Sequence, residues 1–399
     1  MNKNLRPRLG MAVTPLLAVW PGLAMAQAEF HPYAASQYEF DSNVFSLPNR
    51  DQAILLTGDA ARDDTDWRSV AGLDAAYAWD RGRDRLGVTA EGRRLLYDRF
   101  SQLDHNEYLA SGQFDWKAGT AWDGTLGARQ ERRMASFATR TGTTERDMEL
   151  DHNANAGVNV NLDPEWRVET AATWHKLDSP LPGFPDFQLR ESGGTAALKY
   201  LGVSHLTAGV EAGYTDGRFS GVPDAPAYTQ LTAGLTMSYA LSGITTVDSD
   251  VGYTRFKDRG TGGENVNGLS GSLQLTEHIS VKTNVHLRAF RRVNSYVAGA
   301  NAVIDSGTEA GFDWHPTGKI GVAAGYQWIY SEYRALGPVA AVDSDRRDHY
   351  QAVTLELTYA MLDWASWRLY GSYFDRSSTL LIDEYNQALA GVELRLRLP

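Results

Sequence analysis

Histidines and their neighbours give the first test for chemistry in this sequence. His152 alternates with Leu150 and Ala154 on an apolar face, and no Ser stands two residues away for it to activate. His175 and Asp178 lie near a connection, where a His beside an acidic residue is more often a solvated pair than a catalytic one. The chain contains no G-x-S-x-G, no H-E-x-x-H and no other nucleophile–base spacing. Nothing in it calls for a metal or a cofactor, and the expectation is a protein that is not an enzyme.

A different set of polar residues recurs at every second position. Arg129, Glu131 and Arg133 form one run, and Asp151, Asn153, Asn155, Asn159 and Asn161 another. Glu211 alternates with Val210 and Ala212; Asp248 and Asp250, then Lys282, Asn284, His286 and Arg288, and finally Glu393, Arg395 and Arg397 continue the pattern. Amides and charges of both signs suit a hydrated neutral or weakly charged solute, such as a sugar chain, held by hydrogen bonds. A strongly ion-selective pore would carry one predominant sign near its constriction. Water alone also accounts for such polarity, because the inner wall of a large barrel is wet. The candidate lumen-lining residues are Arg129, Glu131, Asn153, Asn155, Asn159, Glu211, Asp248, Asp250, Asn284 and Arg288.

Period-two alternation requires strands. Trp166, Val168, Thr170, Ala172 and Trp174 would share one face, with Arg167, Glu169, Ala171, Thr173 and His175 on the other. From about Tyr33 onward this unit of roughly ten residues repeats, separated by connections that are short and long in turn. The spacing predicts an all-β fold: one transmembrane, up-and-down antiparallel barrel of about eighteen strands (16–20), with both termini periplasmic. The short turns carry Gly or Pro, as in Lys117-Ala118-Gly119-Thr120, Asp163-Pro164-Glu165, Gly202-Val203-Ser204 and His315-Pro316-Thr317-Gly318, where Gly supplies positive φ. Trp79, Trp116, Trp122, Trp166, Trp314, Trp364 and Trp367 sit beside short turns and form an expected interfacial girdle. The connections Asn49–Asp66 and Ser331–Asp348 are long and polar enough to fold into the lumen.

The chain has 399 residues, no Cys and 11 Trp, and no run of the ~20 apolar residues that a membrane helix needs. Lys3, Arg6 and Arg8 precede an apolar stretch from Met11 to Leu23, and Ala24-Met25-Ala26 follows. This is the pattern of a secretory signal peptide over residues 1–26, cleaved near Ala26/Gln27, which leaves 27–399 as the barrel. Losing those three bases lowers Lys and Arg from 38 to 35 against 49 Asp and Glu, a net charge of −14. Nucleic acid is therefore not an expected partner. The outer membrane of a Gram-negative bacterium is the expected compartment, and its lipid the expected surroundings.

One segment carries more identity than the rhythm does. Tyr38-Glu39-Phe40-Asp41-Ser42-Asn43-Val44-Phe45-Ser46-Leu47-Pro48 resembles the opening strand of an EpsL-like outer-membrane porin family tied to exosortase-linked exopolysaccharide operons, with Tyr38, Asp41, Ser42 and Asn43 as its motif. Tyr97-Asp98-Arg99-Phe100 with Leu103-Asp104 and Tyr108 looks like a second element of that family. Phe114-Asp115-Trp116 with Trp122-Asp123-Gly124 looks like a third, and Leu162-Asp163-Pro164-Glu165-Trp166-Arg167 a fourth. Ser46 stands where the family often has a basic residue, and the chain ends on Leu398-Pro399 rather than on an aromatic. The resemblance implies export of an extracellular polysaccharide, with periplasmic export components as partners. Asp41, Ser42 and Asn43 are expected to end the first strand by satisfying freed backbone groups rather than to touch sugar. Two other readings stand beside export: a general or small-solute diffusion porin, and a structural or adhesive barrel whose loops do the work.

Overall fold

The computed structural model describes residues 27–48, 65–81, 83–139, 144–180, 186–221, 227–259, 265–296, 301–334 and 346–398. The signal segment 1–26 and most of the connections 49–66 and 331–348 lie outside the described residues. Eighteen strands follow one another: β1 (Gln27–Asp41), β2 (Asp66–Arg81), β3 (Asp84–Tyr97), β4 (His105–Ala118), β5 (Trp122–Met134) and β6 (Met148–Asn161). Next come β7 (Trp166–Asp178), β8 (Gln188–Val203), β9 (Leu206–Ser220), β10 (Ala227–Ala240), β11 (Thr245–Asp258) and β12 (Val266–Ser280). The last six are β13 (Thr283–Tyr296), β14 (Asn301–Thr317), β15 (Ile320–Arg334), β16 (Arg347–Leu362), β17 (Ala365–Ser378) and β18 (Tyr385–Arg397). Each pairs antiparallel with its sequence neighbours, and β1 pairs with both β2 and β18, so the sheet closes on itself. The expected eighteen-stranded antiparallel barrel is the observed fold.

Residues in register share a face, so the pairings carry one alternation round the whole ring. Trp166 and Val168 on β7, Leu231 and Leu235 on β10, Val251 on β11 and Leu269 on β12 fall on the outer face. Val168 is half-buried and the others are bare: Leu235 keeps 64% of its surface and Leu269 66%. An exterior this apolar is built to stand in a bilayer, where closure also leaves no unpaired backbone edge. No helix among the described residues is long and apolar enough to cross a membrane.

The short turns use more than Gly and Pro. The Asp163 carboxylate accepts from the backbone N–H of Glu165 and Trp166, both at 2.8 Å. Ser242 does the same for Ile244 and Thr245, and Thr317 for Lys319 and Ile320. Such side chains satisfy donors that the ladder leaves free at its end. Gly119 has the expected positive φ of 66°, but in the β8–β9 turn that conformation falls on His205, at 68°, not on Gly202. Gly202 belongs to the end of β8, and the Tyr200 ring lies where a Cβ on it would stand.

The same device keeps inward aromatic rings flat against the wall. Tyr228 covers its register partner Gly217, Tyr370 covers Gly391, His286 covers Gly311 and Phe290 covers Gly307. Each ring fills the space of a missing side chain and leaves the lumen's cross-section free. Gly391→Val should push the Tyr370 ring off its seat at a cost of about 1–3 kcal/mol. Gly87→Val, with nothing within 4 Å of the new Cβ, should be close to neutral. Denaturant unfolding of the two variants in micelles checks this, and equal stabilities would contradict it.

Candidate functional site

All ten candidate lumen residues lie on the inner face, and they form two groups. On β5 and β6, Arg129 bonds Glu131 at 2.9 Å, and Arg133 reaches Glu131 at 3.7 Å. Asn153 donates to Asp151, Asn159 donates to Asp123 at 2.7 Å, and Asn155 covers Gly127. The second group spans β9 to β13. Arg288 faces Glu309 at 3.7 Å, Asn284 meets His278 at 2.6 Å, and Asp250 accepts from Ser272. Glu211 and Asp248 have no basic partner among the described residues.

Pairing is the rule for the lumen's arginines. Arg93 lies 2.6 Å from Glu91, Arg167 2.7 Å from Asp123, Arg368 2.7 Å from Glu356 and 3.3 Å from Glu393, and Arg395 2.5 Å from Asp74. The clusters of β16 to β3 border a recess of about 340 Å³ that includes Asp74, Arg93, Glu356, Arg368, Glu393 and Arg395. In the ring order, β9–β12 stand across the lumen from β18–β3. Below its apolar loop end, the inner face there is mainly Thr, Ser, Gln and Gly with Glu211, Asp248 and Asp250, and Thr232, Thr236 and Ser270 border a further hollow.

His175 also faces inward. Its partners are Glu191 at 2.7 Å and Asp151 at 3.5 Å, whereas Asp178, on the opposite face, bonds Lys176 at 2.7 Å. The His175–Asp178 juxtaposition that the sequence suggests therefore does not exist, because an odd spacing along a strand separates the two faces. His152 faces outward beside Trp174, with ring centroids 6.5 Å apart.

The four recurring sequence elements come together as two clusters. Arg167 of the fourth bonds Asp123 of the third, close to the short turns, and the Trp116 ring covers Gly124. At the long-loop end, the first and second elements interlock. Tyr38 points outward, stacks on Trp67 at 4.8 Å and donates to Asp98 at 3.2 Å. Asp41 points inward, is buried, and accepts from the Asn43 N–H at 2.9 Å and from Gln387 at 2.8 Å. Ser42 exchanges bonds with the Ala388 backbone, extending the β1–β18 ladder by one rung. Asn43 closes the following turn, accepting from Leu47 N–H at 3.0 Å and donating to the carbonyls of Leu47 and Asn386 at 2.9 Å. Ser46 sits in that turn at φ 47° and is buried.

That turn drives Val44, Phe45 and Leu47 onto the inner wall, against Val70, Leu95 and Tyr97. Leu103 and Phe137, from the β3–β4 and β5–β6 connections, complete the cluster, and Phe45 meets Phe100 edge-on at 4.8 Å and Phe137 at 5.0 Å. Asp66 fixes the second element, accepting from the backbone N–H of Trp67, Arg99 and Phe100. A second apolar cluster, with Phe187, Leu189, Phe219, Tyr228 and Phe256, lines the long-loop end of the facing wall. Sequence reasoning missed these clusters and the buried Arg346–Asp348–Arg376–Asp383 group. The apolar residues at the loop-side ends of inward positions, such as Leu189, Phe219 and Phe256, were the available signal.

No family model and no curated protein matches the chain. Among solved structures, the apoprotein form of the FrpB iron transporter (F5-1 variant) from Neisseria meningitidis is similar at 12% identity and a TM-score of 0.51, over 87% of this chain and 62% of that one. Pseudomonas aeruginosa OccK3 is similar at 16% identity and a TM-score of 0.46, over 93% and 96% of the two chains, and OprD of the same organism at 10% and 0.43, over 93% and 95%. The likeness is one of fold. This chain spans about 62% of the length of the iron transporter it matches.

Asn43→Ala would remove three hydrogen bonds from a half-buried turn and should destabilise it by about 1–3 kcal/mol. Amide hydrogen exchange at residues 44–47 should accelerate while that of β10–β12 stays unchanged. A uniform response across the barrel would contradict a local role.

Proposed function

We propose that the chain is an outer-membrane conduit through which a hydrated, neutral or weakly charged polysaccharide leaves the cell. The observation that carries this reading is the character of the lumen. Its arginines are neutralised pairwise, and the wall opposite presents hydroxyls, amides and small residues. Such a surface exchanges hydrogen bonds with a sugar chain without binding it tightly, which is what transit requires. The likeness of Tyr38, Asp41, Ser42 and Asn43 to the exopolysaccharide-associated family supports the same cargo.

The charges left over define what the conduit rejects. Glu211 on β9 and Asp248 and Asp250 on β11 stand on the inner face with only the uncharged inward residues of β10 between them, and Asp313 on β14 has no basic partner among the described residues. Their field repels anions, so a polyuronate is a poor cargo. A small-solute diffusion pore is the second reading, and the packed apolar clusters at the long-loop end favour it, since they offer a sugar chain few hydrogen-bond partners there.

Deleting the gene should abolish secreted polysaccharide, and unchanged secretion would remove the export reading. In planar bilayers the purified barrel should conduct with a preference for cations. The triple variant Glu211→Gln, Asp248→Asn, Asp250→Asn should move the cation-to-anion permeability ratio toward parity, and an unaltered ratio would show that these carboxylates do not face the ion path.

A further inference from the structure

The β5–β6 connection does not stay above its own strands. Its 3₁₀ turn, Phe137–Thr139, is built on Ser136, whose carbonyl accepts from Thr139 and whose hydroxyl accepts from the Ala138 N–H. The Ala138 carbonyl accepts from Arg376 Nη1 at 2.6 Å. Arg376 belongs to β17, which is six strands from β5 round the ring. At about 4.8 Å per strand, that is roughly 30 Å of wall. Residues 135–139 therefore reach over a sector of the mouth, and Phe137 beneath them rests on Phe45.

The far anchor is rigid. Asp348 accepts from Arg376 at 2.5 Å, from Arg346 at 2.9 Å and from Ser378 at 2.6 Å, and Arg346 also meets Asp383 at 2.8 Å. These groups are buried and neutralise one another, so they stay together when the connection leaves. Under the span lies the charge-paired recess of β16 to β3. The two sides of the contact thus differ: a fixed guanidinium on the barrel, and a short turn whose Ala138 carbonyl meets it while Phe137 seats in the apolar cluster around Phe45.

We propose that Phe137–Thr139 is a releasable cap over this sector of the lumen, with the Arg376–Ala138 bond as its catch. The cap rests on the conduit reading and supplies its regulation: seated, it passes small solutes, and lifted, it admits a polymer. Release breaks the bond to the Ala138 carbonyl and withdraws Phe137 from its seat among Val44, Phe45 and Leu47, while Asp348 keeps Arg346 as its partner.

The chain has no Cys, so introduced thiols can be joined without competition. In Ala138→Cys/Arg376→Cys, bridging the thiols with a flexible bis-thiosulfonate should lower bilayer conductance and block uptake of neutral oligosaccharides into liposomes. Reductant should restore both in the same sample, which controls for folding. Arg376→Met, which frees the cap without a cross-link, should conduct more than the unaltered chain. If currents flow in every state but ignore the cross-link and the Met variant alike, the cap is overturned and the conduit stands. If neither the unaltered chain nor Arg376→Met passes any current, the conduit reading itself falls, and the cap falls with it.

Discussion

Backbone pairing is the constraint from which the rest of this structure follows. In an apolar medium each unpaired N–H or C=O costs several kcal/mol, so a sheet that stands there must have no edge. The pairing of β1 with both β2 and β18 meets that demand. Closure then divides every strand into an outer and an inner set, and a single register error would turn a wall inside out. The bare leucines outside and the salt-bridged arginines inside are two results of one condition.

Inside, the second constraint is electrostatic. Arginines are set against carboxylates two residues away on the same strand face, as in Arg129–Glu131, Arg167–Glu169 and Arg93–Glu91, or across one rung, as in Arg368–Glu393. Pairs of this kind contribute little to stability where they are solvated. Their larger effect is to cancel charge along the inner wall, so that among the described residues its field is set by the few carboxylates left unmatched. Ring-on-glycine packing adds a steric counterpart, since Tyr370 can be both a wall element and a hydrogen-bond donor to Glu39 without narrowing the bore.

Much of this was legible in the chain. Strand number, face assignment and the inward placement of residues such as Asn153, Asp248 and Arg288 follow from a period of two, which is local information. The i,i+2 ion pairs could be read the same way. Cross-strand and loop contacts could not, because they depend on register and on connections with no period. Hence the link of His175 to Glu191, and the convergence of Phe45, Phe100 and Phe137, become evident only in three dimensions, although the period of two already separates His175 from Asp178. The Asp41-Ser42-Asn43 run was recognisable as a strand terminator, but not its partners on the last strand.

Those partners bear on how the barrel assembles. Ser42 and Asn43 bond the backbones of Ala388 and Asn386, and Asp41 bonds Gln387, across some of the longest sequence separations in the chain. Contacts of such high order form late, since the closure entropy of nearly the whole chain must first be met. The first strand therefore cannot adopt its final closing turn until β18 has arrived beside it. The motif works as a seam seal, and the packing of Phe45 beneath it records that the ring has been completed.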